Sequence, residues 1–192
     1  LIFSMKFLEL ASCLKALWGF ASFCLMSSTA YLINDLRDRE ADRQHPRKRL
    51  RPIAAGLISP GLVKLQIVLL FGSALGSAWA LNPMFGATCA LYFCTTLLYT
   101  LFLKHHVILD VMGIATGFLW RAAAGAVSIG VLISPWLLLC TAFLALFFGF
   151  NKRRGELLVL NEDAESHRKN LAEYTPKLLD DFQAITSSGT II

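Results

Sequence analysis

The stretch YLINDLRDREADRQHPRKRLRP, Tyr31 to Pro52, is where an apolar chain turns densely charged. Residues 10 to 36 leading into it are apolar enough for a membrane helix, which needs about 20 such residues. The charges mark where that helix leaves the bilayer, and this boundary decides the fold. Asp35, Asp38 and Asp42 are spaced three and four apart, so on a helix they share one face. Three carboxylates on one face repel each other unless a cation sits among them. Hard oxygen donors suit Mg²⁺, which takes one or two protein carboxylates and fills its shell with water and phosphate oxygens. Arg37, Arg39, Arg43, Arg47, Lys48, Arg49 and Arg51 lie in the same stretch. Acid for a metal beside base for phosphate is the chemistry of a Mg-diphosphate site. Asn34 and Asp35 fall in the last apolar turn, where a polar pair is costly without a use.

The composition agrees with a membrane protein. Of 192 residues, 56% are hydrophobic and only 16% charged, below the usual charge content of a soluble domain. Mean hydropathy is +0.58. The net charge of +5 is concentrated in short segments between apolar runs, unlike the basic stripe of a nucleic-acid-binding domain. Cys13, Cys24, Cys89, Cys94 and Cys140 lie within apolar runs without metal-ligand spacing and read as small buried hydrophobes. The chain starts at Leu1 and ends in a newly apolar stretch, so it is expected to be a domain incomplete at both ends.

Five spans are predicted: 10–36, 62–81, 84–103, 107–131 and 136–150, the last short unless its flanks are included. Residues 37–61 form a basic loop in which Pro46, Pro52, Pro60, Gly56 and Gly61 forbid one continuous helix. Asn151-Lys152-Arg153-Arg154 is expected to close the fifth span. Residues 152–182 are expected to form a polar segment, with a surface helix over 161–181 broken near Pro176. Spans alternate sides, and the loops at 37–60, 104–106 and after 151 are all basic while those at 82–83 and 132–135 carry no charge. Basic loops stay cytoplasmic, so the aspartates, Lys104 and the Lys152-Arg153-Arg154 cluster are expected to face the cytosol.

Further polar residues stand out in the spans. Asp110, Gly113, Gly117, Arg121 and Gly125 line one face of the fourth span, and small residues there admit a neighbouring helix. Arg121 falls near mid-depth, where a charge is expensive. It is expected to face an interior cavity or a partner, either as a structural arginine satisfied by carbonyls or as a cation for a phosphate or carboxylate. Asp110 is about 16 Å away along the helix, too far for a direct pair. Glu156 follows Arg153 by three residues and either binds a sugar hydroxyl or orients an arginine. Tyr99 and Lys104 end the third span at the expected cytosolic level.

The pattern Asn34-Asp35-x-x-Asp38-x-x-x-Asp42, followed by Arg47 and Arg51-Pro52, resembles the first aspartate-rich motif of the UbiA superfamily of intramembrane prenyltransferases. That resemblance implies an all-α, polytopic transmembrane bundle of nine helices around a cavity open to the membrane, here lacking the first helix and the last three. It also implies Mg²⁺ bound by the aspartates on a prenyl diphosphate. Where most members carry a second aspartate-rich motif, this chain has Lys152-Arg153-x-x-Glu156. In this it is similar to the decaprenyl-phosphate phosphoribosyltransferase branch. Further similarities are Lys48-Arg49-x-Arg51-Pro52, Tyr99-Thr100-x-x-Leu103-Lys104, Asp110-Val111, Gly117-Phe118-x-x-Arg121-Ala122 and His167-Arg168-x-x-Leu171-x-x-Tyr174.

The branch implies transfer of 5-phosphoribosyl from phosphoribosyl pyrophosphate to a polyprenyl phosphate, at a site facing the cytoplasm of a plasma (inner) membrane. On this resemblance Asp35, Asp38 and Asp42 hold Mg²⁺ with Asn34 assisting, and Lys48, Arg49 and Arg51 bind donor phosphates. Tyr99, Lys104, Arg153 and Glu156 complete a polar mouth, and Arg121 holds the acceptor phosphate or braces the cavity. Two other readings stand beside it: prenyl transfer to an aromatic acceptor, and a transporter or channel fragment using Asp110 and Arg121.

Overall fold

The computed structural model describes residue 2, residues 4–160 and residues 174–191. Among these the regular elements are all helical. The main helices are α1 (Leu10–Arg37), α2 (Arg39–Gln44), α3 (Pro60–Leu81), α4 (Pro83–Leu101), α5 (Leu109–Ser128), α6 (Pro135–Leu160) and α7 (Pro176–Ile191). Short 3₁₀ turns cover Lys6–Leu8, Lys48–Leu50 and Leu103–His105. Among the described residues, five helices are long and apolar enough to cross a membrane: Leu10–Arg37, Pro60–Leu81, Pro83–His105, Leu109–Ser128 and Pro135–Leu158. Helices are the natural answer for such a chain, because hydrocarbon offers backbone N–H and C=O groups no partner outside the segment itself.

Prolines set the boundaries. Pro60 opens α3 behind Ser59, whose hydroxyl accepts from the Leu62 N–H at 3.4 Å. Pro83 opens α4, and the Asn82 Oδ1 accepts from the Met84 N–H at 2.8 Å. A proline in the first turn loses nothing, since its missing donor would be unpaired there anyway. Pro176 likewise opens α7, behind the non-helical residues 174 and 175. Residues 161–173, with His167, Arg168 and Leu171 of the expected tail motif, lie outside the described residues. The fifth span also differs from expectation. α6 continues through Asn151-Lys152-Arg153-Arg154 to Leu160, because straight-chain basic residues are good helix formers and stop a membrane crossing without stopping a helix.

The chain divides into two compact units. The first comprises residues 1–93 and 124–131. Here α1 packs on α3, and small or hydroxylated residues fill the contact. The Ser22 and Ser77 hydroxyls lie 2.8 Å apart, and Ser27 meets the Tyr92 hydroxyl at 3.0 Å. Phe23 packs on Tyr92 with ring centroids 4.6 Å apart. At Gly19 an added Cβ would stand 3.1 Å from the Ser128 Cβ and 3.2 Å from the Phe85 ring. Close approach through small residues is the expected way for helices to pack in lipid.

The second unit comprises residues 94–123 and 132–192. α7 runs antiparallel to α6. Asp180 pairs with Arg154, Gln183 donates to Asn151, Phe182 stacks on Phe150, and Gly189 lies on Phe143. Val111, Phe150, Tyr174 and Leu179 form the buried apolar cluster. α5 and α6 meet at Gly149, where an added Cβ would come within 2.5 Å of Val111 Cγ1. On the fourth span's small-residue face, Gly113 receives the Tyr99 ring, whereas nothing lies within 4 Å of a Cβ at Gly125. The cysteines are free, but only Cys89 is buried, and Cys24, Cys94 and Cys140 are exposed, contrary to the expectation of burial. Apolar side chains need no protein cover where a helix faces lipid.

The Gly149 contact yields a stability test. Gly149→Ala should destabilise the detergent-solubilised protein by about 1–3 kcal/mol through overpacking. Adding Val111→Ala should return most of the lost melting temperature, since it removes the methyl group in the way.

Candidate active site

In the first unit, the chain from Asn34 to Ala54 builds a polar cluster at the end of α1. The helix bends at Asp38, yet the hydrogen-bond ladder continues: the Asp38 N–H donates to Asn34 O at 2.9 Å and the Asp42 N–H to Asp38 O at 2.8 Å. The aspartates therefore keep their helical spacing across the bend. Arg51 returns from the basic loop, and its Nη1 donates to Asp35 Oδ1 and to Asp42 Oδ2, both at 2.9 Å. Asp42 is buried, while the Asp35 and Arg51 side chains are 29% and 40% exposed. Arg43 fastens the loop, its Nε donating to the Ala54 carbonyl at 3.0 Å while Nη1 reaches the Glu40 carboxylate at 3.1 Å. His45 Nδ1 accepts from the N–H groups of Arg47 and Lys48, and Lys48 and Arg49 are exposed.

The structure thus brings Asp35, Asp42 and Arg51 together. Asp38 lies at the bend beside them, and among the described residues no three His, Cys, Asp or Glu side chains gather as a metal cage. Two carboxylate oxygens on one cationic atom still fit a Mg²⁺ site, because this ion takes few protein carboxylates. Both oxygens are hard donors, and both already converge on a positive group.

The second unit holds a buried cluster around Arg153 on α6. Its Nε donates to Asp110 Oδ2 at 2.7 Å, and its Nη1 donates to Glu156 Oε2 at 2.5 Å. Arg153 and Asp110 are 2% and 0% exposed, whereas Glu156 is 31% exposed. The other Asp110 oxygen, Oδ1, accepts from the Tyr174 hydroxyl at 2.7 Å, and that hydroxyl accepts from the Ile108 N–H at 2.6 Å. Ile108 has φ +67°, a left-handed conformation that a β-branched residue rarely adopts. Burial, and then donation to Asp110, push the Tyr174 phenol above its usual range, so it stays a neutral donor.

The remaining expected site residues fall as follows. Tyr99 is half-buried, its ring against Gly113. Lys104 is buried in its 3₁₀ turn. Arg121 is exposed, its guanidinium 5.2 Å from the Phe118 ring centroid. Cation–π contact of this kind needs no enclosure. Asp110 and Tyr174 were not among the residues expected to form the site. Their signal was physical: a carboxylate in a span needs a cation, and Arg153 was available on another segment.

Comparison with known proteins follows the same lines. The UbiA prenyltransferase family matches residues 5–173. The decaprenyl-phosphate phosphoribosyltransferase of Mycolicibacterium smegmatis is 38% identical over 174 residues, 91% of this chain and 55% of that protein. The protein of the same name from Mycobacterium tuberculosis is 35% identical over 178 residues, 93% of this chain and 59% of that one. The chain thus spans somewhat over half the length of these two relatives. A solved UbiA homolog from Archaeoglobus fulgidus, bound to DMAPP and Mg²⁺, superposes with a TM-score of 0.79 at 20% identity, over 92% of this chain and 64% of that one. This likeness shows the shared fold.

The two arginines should differ sharply in stability tests. Arg153→Met removes the buried guanidinium from Asp110 and should cost about 3–5 kcal/mol. Arg154→Met removes only the exposed partner of Asp180 and should leave the melting temperature unchanged within error.

Proposed function

This chain belongs to the UbiA prenyltransferase family, and from that membership we propose that it serves to transfer a 5-phosphoribosyl group from phosphoribosyl pyrophosphate to a polyprenyl phosphate such as decaprenyl phosphate, releasing diphosphate. The names of the relatives support the transferred phosphoribosyl group and the decaprenyl phosphate acceptor. The observation that carries the chemistry is the convergence of Asp35 and Asp42 on a single cationic nitrogen. Such a pair suits a Mg-diphosphate.

Asp35 and Asp42 would hold Mg²⁺, with Asp38 and Asn34 beside them. The ion, when bound, neutralises charge on the departing diphosphate. Arg51, Lys48 and Arg49 supply fixed and mobile cations for the donor phosphates. Preorganised positive charge aimed at a leaving group does most of the work in such a reaction. The acceptor phosphate oxygen forms the new bond to the sugar's anomeric carbon as the bond to diphosphate breaks. In the transition state of that exchange, positive charge develops at the sugar as an oxocarbenium-like centre. The acceptor oxygen is already anionic, so no strong general base is required.

Glu156 is assigned to a ribose hydroxyl, since it is the partly exposed member of its cluster. Arg153 holds it, and Tyr99 and Lys104 brace the same unit. Arg121, exposed on a span, suits an acceptor phosphate. The basic loops favour a cytoplasmic site, which a water-soluble donor requires, while the acceptor's tail stays in the membrane. Asp110 is enclosed and paired, which counts against a transport pathway through it.

Membranes holding the protein should convert labelled phosphoribosyl pyrophosphate and polyprenyl phosphate to a lipid-linked pentose phosphate. The reaction should stop with a chelator and resume with Mg²⁺. Asp35→Asn combined with Asp42→Asn should lower turnover by about 100-fold or more, in the range found when charge stabilisation is removed. Undiminished turnover in that double variant would sink the site assignment. Turnover of a prenyl diphosphate with an aromatic acceptor, and none of phosphoribosyl pyrophosphate, would replace the donor.

A further inference from the structure

Glu156 is held at one end of a relay that begins two segments away. The Ile108 N–H donates to the Tyr174 hydroxyl, the hydroxyl donates to Asp110, Asp110 accepts from Arg153 Nε, and Arg153 Nη1 donates to Glu156. The bonds measure 2.6, 2.7, 2.7 and 2.5 Å. Every side chain in the relay is buried except Glu156. Each donor and acceptor has a directional partner, so no member can turn without breaking a bond in a low-dielectric setting.

We propose that Asp110 and Tyr174 are positioning residues that act through Arg153 to aim the Glu156 carboxylate at a hydroxyl of the donor sugar. This rests on the functional reading above for the identity of the donor. The geometry gives each residue a distinct part. Arg153 carries one charge and faces two carboxylates. Asp110 fixes its Nε edge, so that Nη1 presents to Glu156 in one orientation. A guanidinium is a planar fork, and fixing one edge fixes the other. Tyr174 in turn holds Asp110 from the opposite oxygen and ties it to the backbone at Ile108, where the chain takes its left-handed step into α5. Glu156 Oε2 is engaged by Arg153, which leaves Oε1 as the oxygen outside this relay for an incoming hydroxyl.

The test separates aiming from scaffolding. Asp110→Asn and Tyr174→Phe keep volume and remove one charge or one hydroxyl. In the purified protein both should raise KM for phosphoribosyl pyrophosphate at least fivefold while leaving KM for polyprenyl phosphate within twofold. On a Glu156→Gln background, Tyr174→Phe should add less than a twofold further loss, because its effect travels through Glu156. Equal changes in both KM values, or full additivity with Glu156→Gln, would overturn the proposal. A second arm needs no substrate. Carbodiimide labelling of Glu156, read by mass spectrometry on solubilised protein, should run several-fold faster in Tyr174→Phe than in the parent, since a carboxylate released from its arginine is more reactive. An unchanged labelling rate would also overturn it. If the parent protein fails to use phosphoribosyl pyrophosphate at all, the functional reading falls, and the labelling arm alone decides whether the relay positions Glu156.

Discussion

A carboxylate leaving water must find a cation, and each unit of this protein meets that demand with one guanidinium shared by two carboxylates. The two solutions are chemically alike and physically different. Arg51 between Asp35 and Asp42 is partly in water, with side-chain exposures of 40%, 29% and 5%. Its interactions are screened, and another cation can compete for the same oxygens at modest cost. Arg153 between Asp110 and Glu156 is 2% exposed. Removing it would take the guanidinium away from a carboxylate held in the interior, which is expensive. The first arrangement suits an exchangeable ligand site, and the second suits a fixed brace.

Much of the fold is legible in periodicity and composition because a bilayer permits few alternatives. Apolar length dictates the spans, and the prolines at 60, 83 and 135 mark their starts. The aspartate spacing also survives into the structure, since the ladder through Asp38 is continuous. What was not legible is the choice of partners. Asp110 and Arg153 are separated by 43 residues, and Asp110 and Tyr174 by 64. Local spacing carries no information on such pairs. The first follows from where α5 and α6 touch, at Gly149 lying under Val111, and the second from the segment just before α7. Looking along a single helix from Asp110 led to Arg121, which is too distant, and missed the arginine on the neighbouring helix. The continuation of α6 past its basic cluster was hidden for a related reason. The end of a hydrophobic run and the end of a helix are set by different physics, lipid solvation for one and backbone hydrogen bonding for the other.

Arg121 shows how burial rules change with the solvent. In a soluble protein an exposed arginine needs no comment. On a span it faces either lipid or another polar surface, and its guanidinium lies over the Phe118 ring. An acceptor whose phosphate enters from the membrane side would meet it there, which is why the acceptor rather than the donor is proposed for it.

A shared fold carrying a changed motif is the usual way in which one family reaches different substrates. Charge explains why this change favours the proposed donor. A prenyl diphosphate presents its negative charge at one end, and two acidic motifs can both serve metal ions on that end. Phosphoribosyl pyrophosphate carries a further phosphate on the far side of its sugar. An uncompensated acidic pair in the second motif would repel that group. Here the carboxylate that remains, Glu156, shares Arg153 with Asp110, and Lys152 and Arg154 flank it. The immediate sequence is therefore net positive while still offering one carboxylate oxygen. On the proposed reading an additional anion would be able to approach, and a sugar hydroxyl would still find an acceptor.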